Sequence, residues 1–126
     1  MYLLDTCAFI YYIGADSKMS AEAGRIISSG KRLFLSQVSL WKIAIKKTIK
    51  KLDIRETTYD IERICALGGI EIVPIRNVYF ETIQTFPYIH GDPFDRLIMA
   101  TAVEENLILL TDDANIRKYE DVRVVW

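Results

Sequence analysis

The sequence is poor in the residues that hold small proteins together covalently or through metals. Its only cysteines, Cys7 and Cys65, stand far apart and without metal-ligand spacing, so neither a zinc site nor a disulfide framework is expected, and a reduced cytoplasmic protein is the default. Six glycines and three prolines are too few for a fibrous or disordered chain. No apolar run approaches the roughly 18 residues that cross a bilayer, so no membrane partner is expected. The first apolar run has no basic residue before it and is broken by Asp5, which argues against a secretion signal. Charge excess is missing too: 16 Lys and Arg stand against 17 Asp and Glu, for a net charge of -1. Bulk charge therefore does not draw this chain to nucleic acid, and any such contact must come from a local patch. There is no internal repeat, low-complexity tract or linker.

What is there suits one globular domain spanning residues 1–126, with 51% hydrophobic and 26% charged side chains. Tyr2 to Leu4 is an apolar run that stops abruptly at Asp5, and Leu33 to Leu35 stops in the same way at Ser36. Further runs cover Ile70 to Ile75, Leu107 to Leu110 and Val122 to Val125. Helical periodicity lies between them, over Ser20 to Ser29 before Gly30, Val38 to Ile49, Thr57 to Leu67 before Gly68, Val78 to Phe86, and Pro93 to Glu104. Strands this apolar leave neither face to water. Their alternation with helices predicts an α/β fold, a parallel sheet covered on both sides, with ligands bound outside the carboxyl ends of the strands.

Carboxylates fall at those ends. Asp5 follows the first strand, and Asp112 and Asp113 follow the fourth in Leu110-Thr111-Asp112-Asp113. Carboxylates a few ångströms apart in a partly buried site either take up protons or hold a hard divalent cation such as Mg²⁺ or Mn²⁺, and the second case points to phosphodiester hydrolysis. The competing explanation is helix capping, since Asp is a favoured N-cap at strand-to-helix junctions. Asp92-Pro93-Phe94-Asp95 reads as a complete helix start, with Asp92 as the cap and Asp95 free to point outward as a ligand.

Taken together, these segments resemble the small PIN-domain ribonucleases, in particular the VapC-type toxins of type II toxin–antitoxin pairs. The similarity runs almost end to end: Leu3-Leu4-Asp5-Thr6, Ser39-Leu40-Trp41, His90-Gly91-Asp92-Pro93-Phe94-Asp95-Arg96, Leu110-Thr111-Asp112-Asp113 and the closing Val125-Trp126. The resemblance implies a PIN-like α/β/α sandwich around a five-stranded parallel sheet of order 3-2-1-4-5. It also implies a metal-dependent endoribonuclease whose catalytic and metal-binding acids are Asp5, Asp95 and Asp113, with Asp92 just outside or supporting the metal shell. Mg²⁺ or Mn²⁺ ions would be the cofactor, RNA the substrate, and a cognate antitoxin the partner of a homodimeric toxin in the cytoplasm.

One position departs from that pattern. The family carries a glutamate directly after the tryptophan, and this chain has Lys42 in Trp41-Lys42-Ile43-Ala44. An ammonium cannot ligate a metal, and set among the aspartates it would answer the same negative field. Three readings stay open: an inactivating change in an intact fold, a protein that has lost cleavage but still binds an antitoxin, or a helix phase that turns Lys42 to solvent and leaves a three-carboxylate site.

Other residues carry paired readings. Lys46, Lys47, Lys50 and Lys51 are an RNA-facing or antitoxin-facing patch, or a solvated helix end whose cations favour the dipole. His90, the only histidine, suits proton transfer, but its place before a helix cap favours a structural loop role. Arg96 would orient a carboxylate, contact a phosphate, or form an ion pair at the rim. Thr6 and Thr111 are candidate hydrogen-bond donors behind the acids, or caps. Tyr11, Tyr12 and Trp41 suit an interface or the core. Two rival architectures fit less well: a receiver domain needs an acidic pair after the first strand and an aspartate after the third, and a haloacid-dehalogenase-type phosphatase needs a second aspartate two positions beyond Asp5.

Overall fold

The computed structural model describes residues 1–126. Five short strands, β1 (Tyr2–Leu4), β2 (Leu33–Ser36), β3 (Ile70–Val73), β4 (Ile108–Leu110) and β5 (Val124–Val125), form one sheet of order β3-β2-β1-β4-β5. Every neighbouring pair is parallel, with Leu4 in register with Leu35 on one side and Leu110 on the other. This is the expected order, and the pairing carries Asp5 and Thr111 to adjacent positions just past the ends of β1 and β4.

Six helices cover the sheet: α1 (Thr6–Gly14), α2 (Ala21–Ser28), α3 (Gln37–Thr48), α4 (Thr58–Gly68), α5 (Asn77–Ile83) and α6 (Pro93–Glu104). Alternate strand residues divide between two cores. Leu3, Phe34 and Leu109 pack with Tyr79, Ile98 and Met99 of α5 and α6, while Leu4, Leu35 and Leu110 pack with Phe9, Ile26, Ile43 and Ile61 of α1 to α4. Burial on both faces explains the lack of polar alternation along the strands.

Some boundaries differ from those expected. The segment Thr6–Gly14, which carried no clear helical period, is α1; Asp5 caps it by accepting from the Ala8 amide at 2.7 Å, and packing of Ala8 and Phe9 offsets the weak helix propensity of its β-branched and aromatic residues. Helix α4 starts with a reciprocal capping box between Thr57 and Asp60 and runs through Gly68; its left-handed cap is Gly69, at φ 71°. The third run ends as a strand at Val73, before Pro74, and the last strand is only Val124–Val125.

Candidate active site at the carboxyl edge of the sheet

Capping and site-building are not alternatives here, because aspartates use their two oxygens differently. Asp92 Oδ1 accepts from the amides of Phe94 and Asp95 at 2.8 and 3.1 Å, capping α6, while its Oδ2 lies 3.4 Å from the Lys42 ammonium. Asp113 Oδ1 accepts from the amides of Asn115 and Ile116 at 2.8 and 3.3 Å, and its Oδ2 faces His90 Nε2 at 3.6 Å. These amide hydrogen bonds fix each carboxyl group in orientation, leaving one oxygen directed at the site.

Asp95, one turn into α6, is the hub. Its Oδ1 accepts from Lys42 Nζ at 3.1 Å and its Oδ2 lies 2.9 Å from His90 Nε2. Ligand atoms of His90, Asp95 and Asp113 all lie within 4.8 Å of one another, so these three side chains fit a single divalent ion. Asp5 sits deeper. It is buried, and desolvation pushes its carboxyl up to about 6 against the opposing Thr111 hydroxyl and Ala8 amide, with the charges of Asp95 and Asp112 adding to the rise. Asp5 thus shares a field with Asp95.

Lys42 is buried, which overturns the solvent-facing reading. Val38, Ser39, Lys42 and Ile43 form the buried face of α3, and this face turns the ammonium into the acid cluster. Burial disfavours the charge, but Asp95 and Asp92 outweigh it and raise the pKa, so Lys42 is a cation at neutral pH. Asp92 moves the other way: desolvation raises it, but the Asp95 amide, Lys42 and the Phe94 amide prevail, and its carboxyl is held below the ordinary range. Phe94 covers this ion pair, its ring packing edge-on against the exposed Trp41 at 4.9 Å.

Arg96 does not serve the site as expected. It pairs with no carboxylate and does not reach the rim; instead it turns inward and donates to the carbonyls of Ile83, Pro87 and His90 at 3.1 to 3.3 Å. It tethers the loop that carries His90. The Tyr119 hydroxyl, which sequence reasoning did not single out, accepts from the Ile89 and His90 amides at 3.2 and 2.8 Å and lies 3.2 Å from the Arg96 guanidinium. The Thr111 hydroxyl accepts from the Asp113 amide at 3.1 Å and lies beside the Asp5 carboxyl. Thr6 bonds to Ser39 at 3.0 Å, joining α1 to α3 behind the acids. Of the lysine stretch, Lys47 is committed to the Glu56 carbonyl, whereas Lys50 and Lys51 are exposed after the helix end. His90 is the residue that the loop reading undervalued: its ring enters the acid cluster.

Sequence comparison matches the PIN domain over residues 2–122. The chain belongs to the PIN-domain family. PIN domains are in general nucleases and typically use divalent metals, which agrees with a cluster of acids outside the carboxyl ends of the strands. No curated protein matches the chain in sequence. Among solved structures, it is similar in fold to VapBC2 from Rickettsia felis bound to a promoter DNA fragment, at TM-score 0.70 and 16% identity, covering 98% of this chain and 96% of that one. FitAcB from Neisseria gonorrhoeae gives TM-score 0.69 and 17% identity over 100% and 97% of the two chains. A toxin–antitoxin complex from Klebsiella pneumoniae gives 0.65 and 20% over 100% and 97%. No helix of this PIN domain is long and apolar enough to cross a membrane.

Proposed function

We propose that this PIN domain is a divalent-metal-dependent endoribonuclease, the cytoplasmic toxin of a toxin–antitoxin pair, working as a homodimer that a cognate antitoxin restrains. The observation that carries the reading is the convergence of Asp95 and Asp113 on one point, with Asp5 in the same field. The similar structures, which are toxin–antitoxin assemblies, support the partner.

In this reading Asp5, Asp95 and Asp113 bind the metal, Mg²⁺ or Mn²⁺. When bound, such an ion lowers the pKa of water and stabilises negative charge on a leaving oxygen of the RNA backbone. Asp113 is held for this task by the Asn115 and Ile116 amides and by Thr111, and Asp92 holds the start of α6 so that Asp95 faces inward. Lys42 keeps Asp95 oriented and offsets part of the acid charge that would otherwise repel an RNA phosphate. In the same reading, exposed Lys50 and Lys51 would meet RNA phosphates.

A second reading, a PIN-fold protein that binds its antitoxin without cutting RNA, is favoured by the buried pairing of Lys42 with Asp92 and Asp95. Incubating the purified chain, free of any antitoxin, with structured and unstructured RNA separates the two. The nuclease reading expects cleavage with Mn²⁺ that EDTA abolishes and that Asp95→Asn reduces by about a hundredfold or more, a loss of about 3 kcal/mol of transition-state stabilisation. Absence of cleavage with either ion, with antitoxin binding retained, supports the second reading instead.

A further inference from the structure

Two features of the carboxyl edge bear on which metal it accepts. Lys42 already occupies one side, taking Asp95 Oδ1 and Asp92 Oδ2 at 3.1 and 3.4 Å. The other side is a mixed set, the Asp95 and Asp113 Oδ2 atoms with the imidazole Nε2 of His90. At 2.9 Å from Asp95 the ring makes an ordinary hydrogen bond, but at 3.6 Å Asp113 is too distant for one. Ligands sharing an ion with bonds near 2.1 Å stand about 3–3.5 Å from each other, a spacing these two distances bracket.

The ring is also held in place before any ligand arrives. The Tyr119 hydroxyl accepts from the His90 amide at 2.8 Å, Arg96 donates to the His90 carbonyl at 3.2 Å, and the side chain is only 16% exposed. Such fixing of a ligand's backbone lowers the cost of binding. Charge points in the same direction. Lys42 offsets one of the four carboxylates at this edge, Asp5, Asp92, Asp95 and Asp113, which lessens the negative charge left for metal ions to balance.

We propose that His90 is itself a metal ligand, and that the Lys42-filled edge takes a single imidazole-tolerant transition ion, Mn²⁺ or Zn²⁺, in preference to Mg²⁺. The inference rests on the metal-dependent reading above and deepens it. Its chemical basis is that nitrogen donors suit first-row transition ions, whereas Mg²⁺ demands oxygen and holds its water tightly.

The test uses the full chain and its single histidine, whose imidazole ¹⁵N signals are therefore unambiguous. Titration with Zn²⁺ is expected to shift the His90 Nε2 resonance and to saturate at one equivalent. Calorimetry is expected to give Mn²⁺ a Kd at least about tenfold below that of Mg²⁺, and His90→Ala is expected to weaken Mn²⁺ by about ten- to a hundredfold while changing Mg²⁺ little. His90→Asp, with an oxygen donor restored, should narrow the preference toward Mg²⁺. Lys42→Gln, which removes the cation from Asp92 Oδ2 and Asp95 Oδ1, should raise Mg²⁺ affinity. Zn²⁺ or Mn²⁺ binding that leaves the Nε2 resonance unmoved, or equal affinity for Mn²⁺ and Mg²⁺, overturns the proposal. The resonance is read in the unsubstituted protein, so it decides the matter even if His90→Ala does not fold. Metal binding of the expected kind without RNA cleavage would leave this inference standing and remove the nuclease reading alone.

Discussion

The two edges of the sheet handle charge in opposite ways. At the carboxyl edge, Asp5, Thr6, Ser36, Ser39, Lys42, Arg96 and Thr111 are buried, and of all buried polar side chains only Thr101 lies elsewhere. Near the amino ends of the strands, charges pair on the surface, as in Arg32 with Glu71 at 3.7 Å, both side chains about two-thirds exposed. Water screens the exposed pair, so it contributes little, whereas the buried cluster has no solvent to replace a lost partner. A fold that collects its desolvated polar groups at one edge has concentrated there the capacity to hold and move charge, and stability is what it gives up locally.

Removing the buried cation should expose this contrast most strongly. Lys42→Met leaves Asp92 and Asp95 facing each other uncompensated, and we expect a loss of about 3 kcal/mol in urea unfolding with a chelator present, partly recovered by Mn²⁺. An unchanged midpoint would mean that water reaches the cluster freely.

Asp5→Asn should act in the opposite direction. Asparagine keeps an oxygen for the Ala8 amide and removes the desolvated charge. The folded carboxyl titrates at about 6, above its ordinary 3.8, so the folded state of the unsubstituted protein holds its proton more tightly and loses stability as pH rises from about 4 through 6. The asparagine variant escapes this loss. It should be more stable by about 2 kcal/mol at pH 7.5 without metal, and the gain should vanish below about pH 4.

A smaller effect is expected at the support of the His90 loop. Tyr119→Phe deletes the acceptor of the Ile89 and His90 amides and should cost about 1–2 kcal/mol, with faster hydrogen exchange at those two amides. Smallest of all is Arg32→Ala at the opposite edge, expected to change stability by less than about 0.5 kcal/mol.

Much of the backbone arrangement was legible in the sequence. Apolar runs that stop at Asp5, Ser36 and Thr111 marked the strand ends, and strand order followed from the family resemblance. Side-chain direction was less accessible. Lys42 lies four residues after Val38 and three after Ser39, a spacing that already put it on the core face of α3, so that signal was available. Arg96 was not readable in this way. Its neighbour Asp95 faces the site, yet one residue along a helix is a turn of about 100°, and only the packing of the 83–90 loop decides that its guanidinium meets carbonyls. Tyr119 reaches Arg96 and His90 across 23 and 29 positions, and although Asp95 stands only five residues from His90, the ring's meeting with Asp113 spans 23, a distance local pattern does not encode.

Anomalous diffraction from crystals of the chain grown with Mn²⁺ tests the central claim most directly. The account predicts one peak within coordination distance of Asp95 and Asp113, on the side away from the Lys42 ammonium. An edge without a peak at millimolar Mn²⁺, or a peak bound only to other residues, would contradict it.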